Sequence, residues 1–285
     1  MPIRQAVIMG SLFLFQVISG PILAQKWLDM DKGLICETGT SGYGNACDVN
    51  RDTGHLHLAG ALWHNFHCDS MRSVVRWNGN SWHAYPRASS SGGTYRSFKI
   101  YNNQLYANTV VNYFSNNDTL WGSCLIRLNE ENQWETVSEL TNNATVFRMR
   151  EIDGELYGAC SFSEFSDIPG ALLFKWDGQT MVAPIDTIPE TLAQCFDVCK
   201  YKNRLFVGGN FNFLDSDAHN FGEVVNKRVK GFGLPIQSTV WSFEEHDGLL
   251  YIGASIPASH FGTDDRTYLM TFDGTTLTPH LYQPN

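Results

Sequence analysis

A phrase that recurs five times constrains this chain more than any other feature: GHLHLAGAL from Gly54, NQLYANTVV from Asn103, GELYGACSF from Gly154, NRLFVGGNF from Asn203 and GLLYIGASI from Gly248. Its leucines Leu56, Leu105, Leu156, Leu205 and Leu250 stand 49, 51, 49 and 45 residues apart. A fixed period of this length means that one supersecondary unit is copied and stacked, because a single copy cannot bury its own apolar face. A second phrase keeps step with the first. RWNGNSW around Trp77, RLNEENQW around Leu128, KWDGQTM around Trp176, RVKGFG around Val229 and TFDGTTL around Phe272 each pass from one apolar residue through a turn to another. The Asn-Gly and Asp-Gly pairs predict two-residue hairpin turns, whose central residues need positive φ.

The segments ahead of the first phrase alternate too, as in YRSFKIY from Tyr95, VFRMREI from Val146 and VWSFEEH from Val240. Each repeat therefore holds four short antiparallel strands, a to d, the content of one propeller blade. No linker interrupts the register between Ala46 and Tyr282. The expectation is an all-β chain with a single β-propeller over 25–285, of five four-stranded blades. Trp27 opens WLDMD, a further copy of strand d. That spare strand either adds to a blade edge or displaces the weak TLTPHLY segment near the end.

Residues 1–24 read as a secretory signal peptide: Arg4, then the apolar run AVIMGSLFLFQVI, then Ala24 before Gln25. No later apolar stretch has spanning length, so the expected product is secreted, with no transmembrane span, and monomeric. The net charge of −9 and the absence of a basic cluster argue against a nucleic-acid partner. Seven cysteines fall in the exported part, where an oxidising compartment permits bridges. Cys36 with Cys47 closes a short Gly/Ser/Thr-rich loop and is the expected disulfide. Cys195 and Cys199, four apart on a predicted strand, are expected on one face of it.

The succession of a Leu-Tyr-x-Gly-Gly-like strand, a variable loop and an R/K-W-D/N-G-x-x-W hairpin resembles the kelch-like repeats of secreted bacterial propellers, of the type called galactose-oxidase-like. The resemblance is clearest at Leu205–Phe211 with Trp176-Asp177-Gly178. It implies a fold rather than a chemistry, and no tyrosine, histidine and cysteine set supports copper oxidase activity.

The connections from strand b to strand c are expected to be the long ones, gathered on one face around the channel mouth, where binding usually resides. They carry Trp63, His64, His67, Asp215, Asp217, His219, His260, Asp264 and Asp265, with Trp121 in NYFSNNDTLWGS. The aspartates offer hard oxygens for calcium, and His64, His67 and His219 offer nitrogens for zinc. Solvated loops are rich in Asp and Asn anyway, and no metal signature is present. Trp63 and Trp121 suit stacking on a sugar ring, whereas Phe114, Phe165, Phe213 and Phe261 recur in step and read as packing. Two functions follow. The first is a non-enzymatic module binding a glycan or an extracellular protein through the long-loop face. The second is an extracellular polysaccharide hydrolase or lyase, with the inner-strand carboxylates Asp48, Asp197 and Glu244 as acid and base or merely lining a wet channel.

Overall fold

A computed structural model of the protein describes residues 43–49, 54–61, 74–86, 94–115, 118–140, 145–163, 171–186, 193–213, 218–262 and 266–280. The expected leader, the Trp27 strand and Cys36 lie outside them. Strands follow in groups of four. The first group is β1 (Tyr43–Val49), β2 (Leu56–Ala61), β3 (Val74–Trp77) and β4 (Trp82–Ala84). The second is β5 (Thr94–Tyr101), β6 (Gln104–Ser115), β7 (Asp118–Leu128) and β8 (Trp134–Leu140). The third is β9 (Val146–Ile152), β10 (Glu155–Ser163), β11 (Ala171–Trp176) and β12 (Met181–Val182). The fourth is β13 (Gln194–Tyr201), β14 (Arg204–Asn212), β15 (His219–Val225) and β16 (Arg228–Gly231). The fifth is β17 (Thr239–His246), β18 (Leu249–Ile256), β19 (Thr267–Phe272) and β20 (Leu277–His280), with one helical turn, α1 (Ala258–Phe261), before β19.

Each group is an antiparallel meander in chain order, and one bridge from Ser161 to Gln194 ties the third sheet to the fourth. The first strands neighbour one another in sequence, β1 with β5, β5 with β9, β9 with β13 and β13 with β17. Meanders stacked through their first strands are the blades of a β-propeller, the fold class that the repeats imply. The TLTPHLY segment is not displaced, since β20 pairs with β19 from Phe272 and Leu277 onward.

Turn chemistry is distributed differently from the sequence expectation. Two consecutive residues with positive φ occur in the turns between first and second strands, at Asn102-Asn103, Asp153-Gly154, Lys202-Asn203 and Asp247-Gly248. The Asn-Gly and Asp-Gly pairs between third and fourth strands instead open four-residue turns, because Trp77 pairs with Trp82, Trp176 with Met181 and Phe272 with Leu277. There the Asx side chain does the work of a backbone carbonyl. Asp273 Oδ1 accepts from the Thr275 and Thr276 amides at 2.8 Å, and Asp177 Oδ1 from those of Gln179 and Thr180 at 2.8 Å. The Thr276 amide leads the groups that hold the Asp273 carboxyl down at about 2.

The cores lie between sheets. One joins Val74 of the first sheet to Phe98, Tyr106 and Leu125 of the second and Met149, Leu156 and Phe174 of the third. Another joins Leu172 and Leu173 to Val198, Val207 and Val229. The last sets Phe206 and Phe221 against Phe243, Leu250, Met270 and Phe272. Cys195 belongs to the second core and Cys199 to the third, which corrects the expectation that both face one side. An unpaired residue between them, Phe196, shifts the alternation by one. Burial pushes both thiols above their ordinary value.

Of the repeat leucines, Leu105, Leu156 and Leu250 are buried while Leu205 is only partly so. Leu156→Ala is expected to lower unfolding stability by about 2–5 kcal/mol through the cavity it leaves, and Leu205→Ala by clearly less. Urea denaturation of both variants checks the order. A second expectation concerns acid. Asp273 has a folded value near 2 against 3.8 for the free group. The stability contributed by its turn is therefore present above that free value and lost as pH falls through the folded one. The melting temperature of Asp273→Asn should fall less steeply over that window than that of the native chain.

Candidate functional site

Every first strand carries one unpaired residue at the same place. The pairing skips from Gly44 to Ala46 in β1, from Tyr95 to Ser97 in β5, from Cys195 to Asp197 in β13 and from Val240 to Ser242 in β17. In β9, Cys160 and Ala159 of β10 pair with Val146 and Arg148, leaving Phe147 over. The bulged residues are thus Asn45, Arg96, Phe147, Phe196 and Trp241, and a bulge re-aims a side chain away from the regular pleat. In the last three strands they make one aromatic strip. Phe147 meets Phe196 edge-on with ring centres 4.7 Å apart, and Phe196 stacks on Trp241 at 4.8 Å and 25°. Trp241 remains 52% exposed.

The strip sits at the start of the first strands, beside the ends of the second strands. Thr145, just before β9, donates its amide to Ser161 Oγ at 2.8 Å, and the Ser161 amide donates to the Thr145 carbonyl at 2.9 Å, near the end of β10. This is the end from which the b-to-c connections leave.

A buried carboxylate holds the strip in place. Asp197 is 0% exposed and accepts from Arg150 Nε and Nη2 at 2.8 Å each, from the Val198 amide at 2.9 Å and from the Phe243 amide at 2.8 Å. Arg150 Nη2 also donates to the Phe243 carbonyl at 2.5 Å, so β9, β13 and β17 meet on one ion pair. Burial lowers the Arg150 guanidinium, and the charge and hydrogen bonds of Asp197 more than offset that and leave it raised. Asp197, closed off from solvent and with both oxygens taken up by Arg150 and backbone amides, is a tether between strands. That removes it from the expected inner-strand carboxylates. Glu244 is half-buried, and of Asp48 only the backbone is described.

Trp63, His64, His67, Asp215, Asp217, Asp264 and Asp265 lie outside the described residues. Trp121 is not in a loop: β6 and β7 pair without a break out to Ser115 and Asp118, with Trp121 opposite Asn112, and only its backbone is described. A run of β-branched and aromatic residues, TVVNYF facing TLW, explains why this connection extends as a hairpin. His219 opens β15 opposite Asn212, and His219 Nδ1 and Asn212 Oδ1 are both buried without a hydrogen-bond partner among the described residues. His260 is exposed on α1, edge-on to Phe261 at 4.6 Å. Phe213 is buried against Phe211, in keeping with a packing role. Cys47 stands opposite Leu58 in β1, and its pairing with Cys36 falls outside the described residues. Among the described residues no group of three or more His, Cys, Asp or Glu side chains comes together, and no helix is long and apolar enough to cross a membrane.

No protein-family model and no curated protein matches the sequence. Among solved structures the chain is similar to a GH74 enzyme from Niastella koreensis, at 12% identity and a TM-score of 0.51, over 84% of this chain and 37% of that one. The chain thus spans little more than a third of that enzyme. A second match, an α-L-arabinofuranosidase of Clostridium thermocellum, has 11% identity and a TM-score of 0.33, over 84% and 94% of the two chains, too loose to weigh. At such identity the likeness shows the fold alone: the chain is a β-propeller. The protein of the first match is by name a GH74 enzyme. That finding runs against the expectation of a module without chemistry and stands on the side of its rival.

Asp197→Asn is expected to cost about 3 kcal/mol, the lower end for a broken buried pair, since the Arg150 side chain keeps 25% of its surface in water. The exposed pair of Lys200 with Asp153, 2.6 Å apart, is the control. Asp153→Asn should change stability by less than about 1 kcal/mol in the same denaturation assay.

Proposed function

We propose that this chain is the propeller of a secreted enzyme that cleaves polysaccharide, acting as a monomer, with its sugar-binding ground at the aromatic strip. The observation that carries the reading is the half-exposed Trp241, stacked on Phe196 at the end where the long connections leave. A flat ring at such a place packs on the apolar face of a pyranose, while polar groups around it take the hydroxyls. The kelch-like character of the repeats fits a secreted propeller. Cleavage of a glycosidic bond needs two carboxyl groups, about 5–5.5 Å apart for retention or about 6.5–9.5 Å for inversion. With Asp197 committed to Arg150, we assign the acid and base to the connections that follow β14 and β18, which carry Asp215, Asp217, Asp264 and Asp265. Calcium on those same aspartates is the competing use of them. Excess calcium against chelator decides it, because a cation held only by the folded chain raises the melting temperature.

The test is release of reducing ends from neutral polysaccharides, arabinan and β-glucan among them, by the native chain, by the four single Asp→Asn variants and by Trp241→Ala. Loss of turnover is expected in two of the Asp→Asn variants. Trp241→Ala should raise KM about tenfold, the equivalent of a lost aromatic stack of about 1–1.5 kcal/mol, with little change in melting temperature because the side chain is half exposed. A folded chain that releases nothing from any polysaccharide overturns the assignment.

A further inference from the structure

A second concave site lies between the first and second sheets, on the side of the a-to-b and c-to-d turns and away from the aromatic strip. It is a cleft of about 280 Å³, lined by His57, Arg76 and Tyr85 of the first repeat and by Asn103, Gln104 and Glu130 of the second. Across the first sheet, His57 of β2 pairs with Arg76 of β3, and Arg76 with His83 of β4. The Arg76 guanidinium, the fixed positive charge of this row, therefore stands between two imidazoles that offer it no acceptor with a negative charge. Asp48 of β1 ends the row beside His57. His57 is buried and stacks on Tyr85, its Nδ1 3.1 Å from the Tyr85 hydroxyl. Arg76 Nε is buried and has no hydrogen-bond partner among the described residues. A guanidinium N–H in that position calls for an acceptor, and a carboxylate fits its fork with two hydrogen bonds. Burial raises the Tyr85 phenol against the opposing pull of the Arg76 charge and of a hydrogen bond from the Arg76 side chain. The Asn103 and Gln104 amides add neutral donors and acceptors at the opposite wall.

We propose that this cleft binds a carboxylated sugar, a uronate, with its carboxylate on Arg76. The volume is just below the roughly 300 Å³ at which drug-sized pockets begin and suits a single ring. The choice of a sugar rests on the polysaccharide reading above; the capture of a carboxylate does not.

Calorimetric titration of the full chain with glucuronate, glucose and acetate tests it. Glucuronate is expected to bind at least tenfold more tightly than either glucose or acetate. Arg76→Met should lose at least tenfold in glucuronate affinity, and Glu130→Gln, on an exposed turn, should bind it more tightly because a negative charge leaves the rim. The Glu130 variant keeps the test open where Arg76→Met fails to fold. Glucose binding as tightly as glucuronate, or affinity unmoved in both the Arg76 and Glu130 variants, overturns the site. Acetate matching glucuronate overturns the sugar and leaves Arg76 as a plain carboxylate receptor, a result separate from any failure of Trp241→Ala to affect polysaccharide cleavage.

Discussion

Each of these four-stranded sheets hides its apolar faces only against the sheets before and after it. Leu156 and Phe174 of the third repeat share a core with Phe98 and Tyr106 of the second, while Leu172 and Leu173 of the same sheet share one with the fourth. Fold, stability and the placing of the site all depend on this mutual burial. It also dictates where glycine is tolerated. A Cβ on Gly209 would lie 2.0 Å from the Gln194 carbonyl oxygen, and one on Gly208 2.5 Å from Phe243 of the next sheet. The Gly-Gly pair of the fourth repeat is thus a packing requirement. The second repeat has Asn108 in place of Gly208, and its side chain accepts from the Val146 amide of the following sheet instead.

Hydrogen bonds between neighbouring sheets follow the same logic. Tyr101, the last residue of β5, donates its hydroxyl to the Gly154 carbonyl in the next a-to-b turn at 2.9 Å, and Tyr201 repeats this with Gly248 at 2.6 Å. The third repeat has Ile152 there, and its junction is held by Lys200 reaching back to Asp153 and, deeper, by Arg150 on Asp197. Where the repeats differ in sequence, the contact between sheets is kept by another chemistry.

The bulges turn this scaffold into a site. One extra residue near the start of each first strand leaves a side chain outside the pleat, and in β9, β13 and β17 that residue is aromatic. The Asp197 ion pair, just inside the strip, fixes the relative position of those strands. The two ends of the blades then carry different surfaces. One has the aromatic strip, suited to the flat face of a sugar, and the other has the His57–Arg76–His83 row, suited to a negative group.

The repeat period, the strand content and the stacked architecture are all legible in the sequence, because they follow from spacing and from alternation of apolar residues, which are local properties. The buried roles of Leu156 and Phe213 are legible for the same reason. The aromatic strip was not. Phe147, Phe196 and Trp241 keep the repeat period at 49 and 45 residues apart, yet in an alternating strand they read as ordinary face residues. Only pairing with the second strand shows that one residue is left over, and only stacking of three sheets brings the rings into contact. The same extra residue sends Cys195 and Cys199 to different cores, against what a strict period of two predicts. Asp197 is the sharpest instance. From sequence it is an acidic residue on an inner strand, and its commitment to Arg150, 47 positions away, exists only because neighbouring blades present the two side chains to each other with the carboxylate shut off from water.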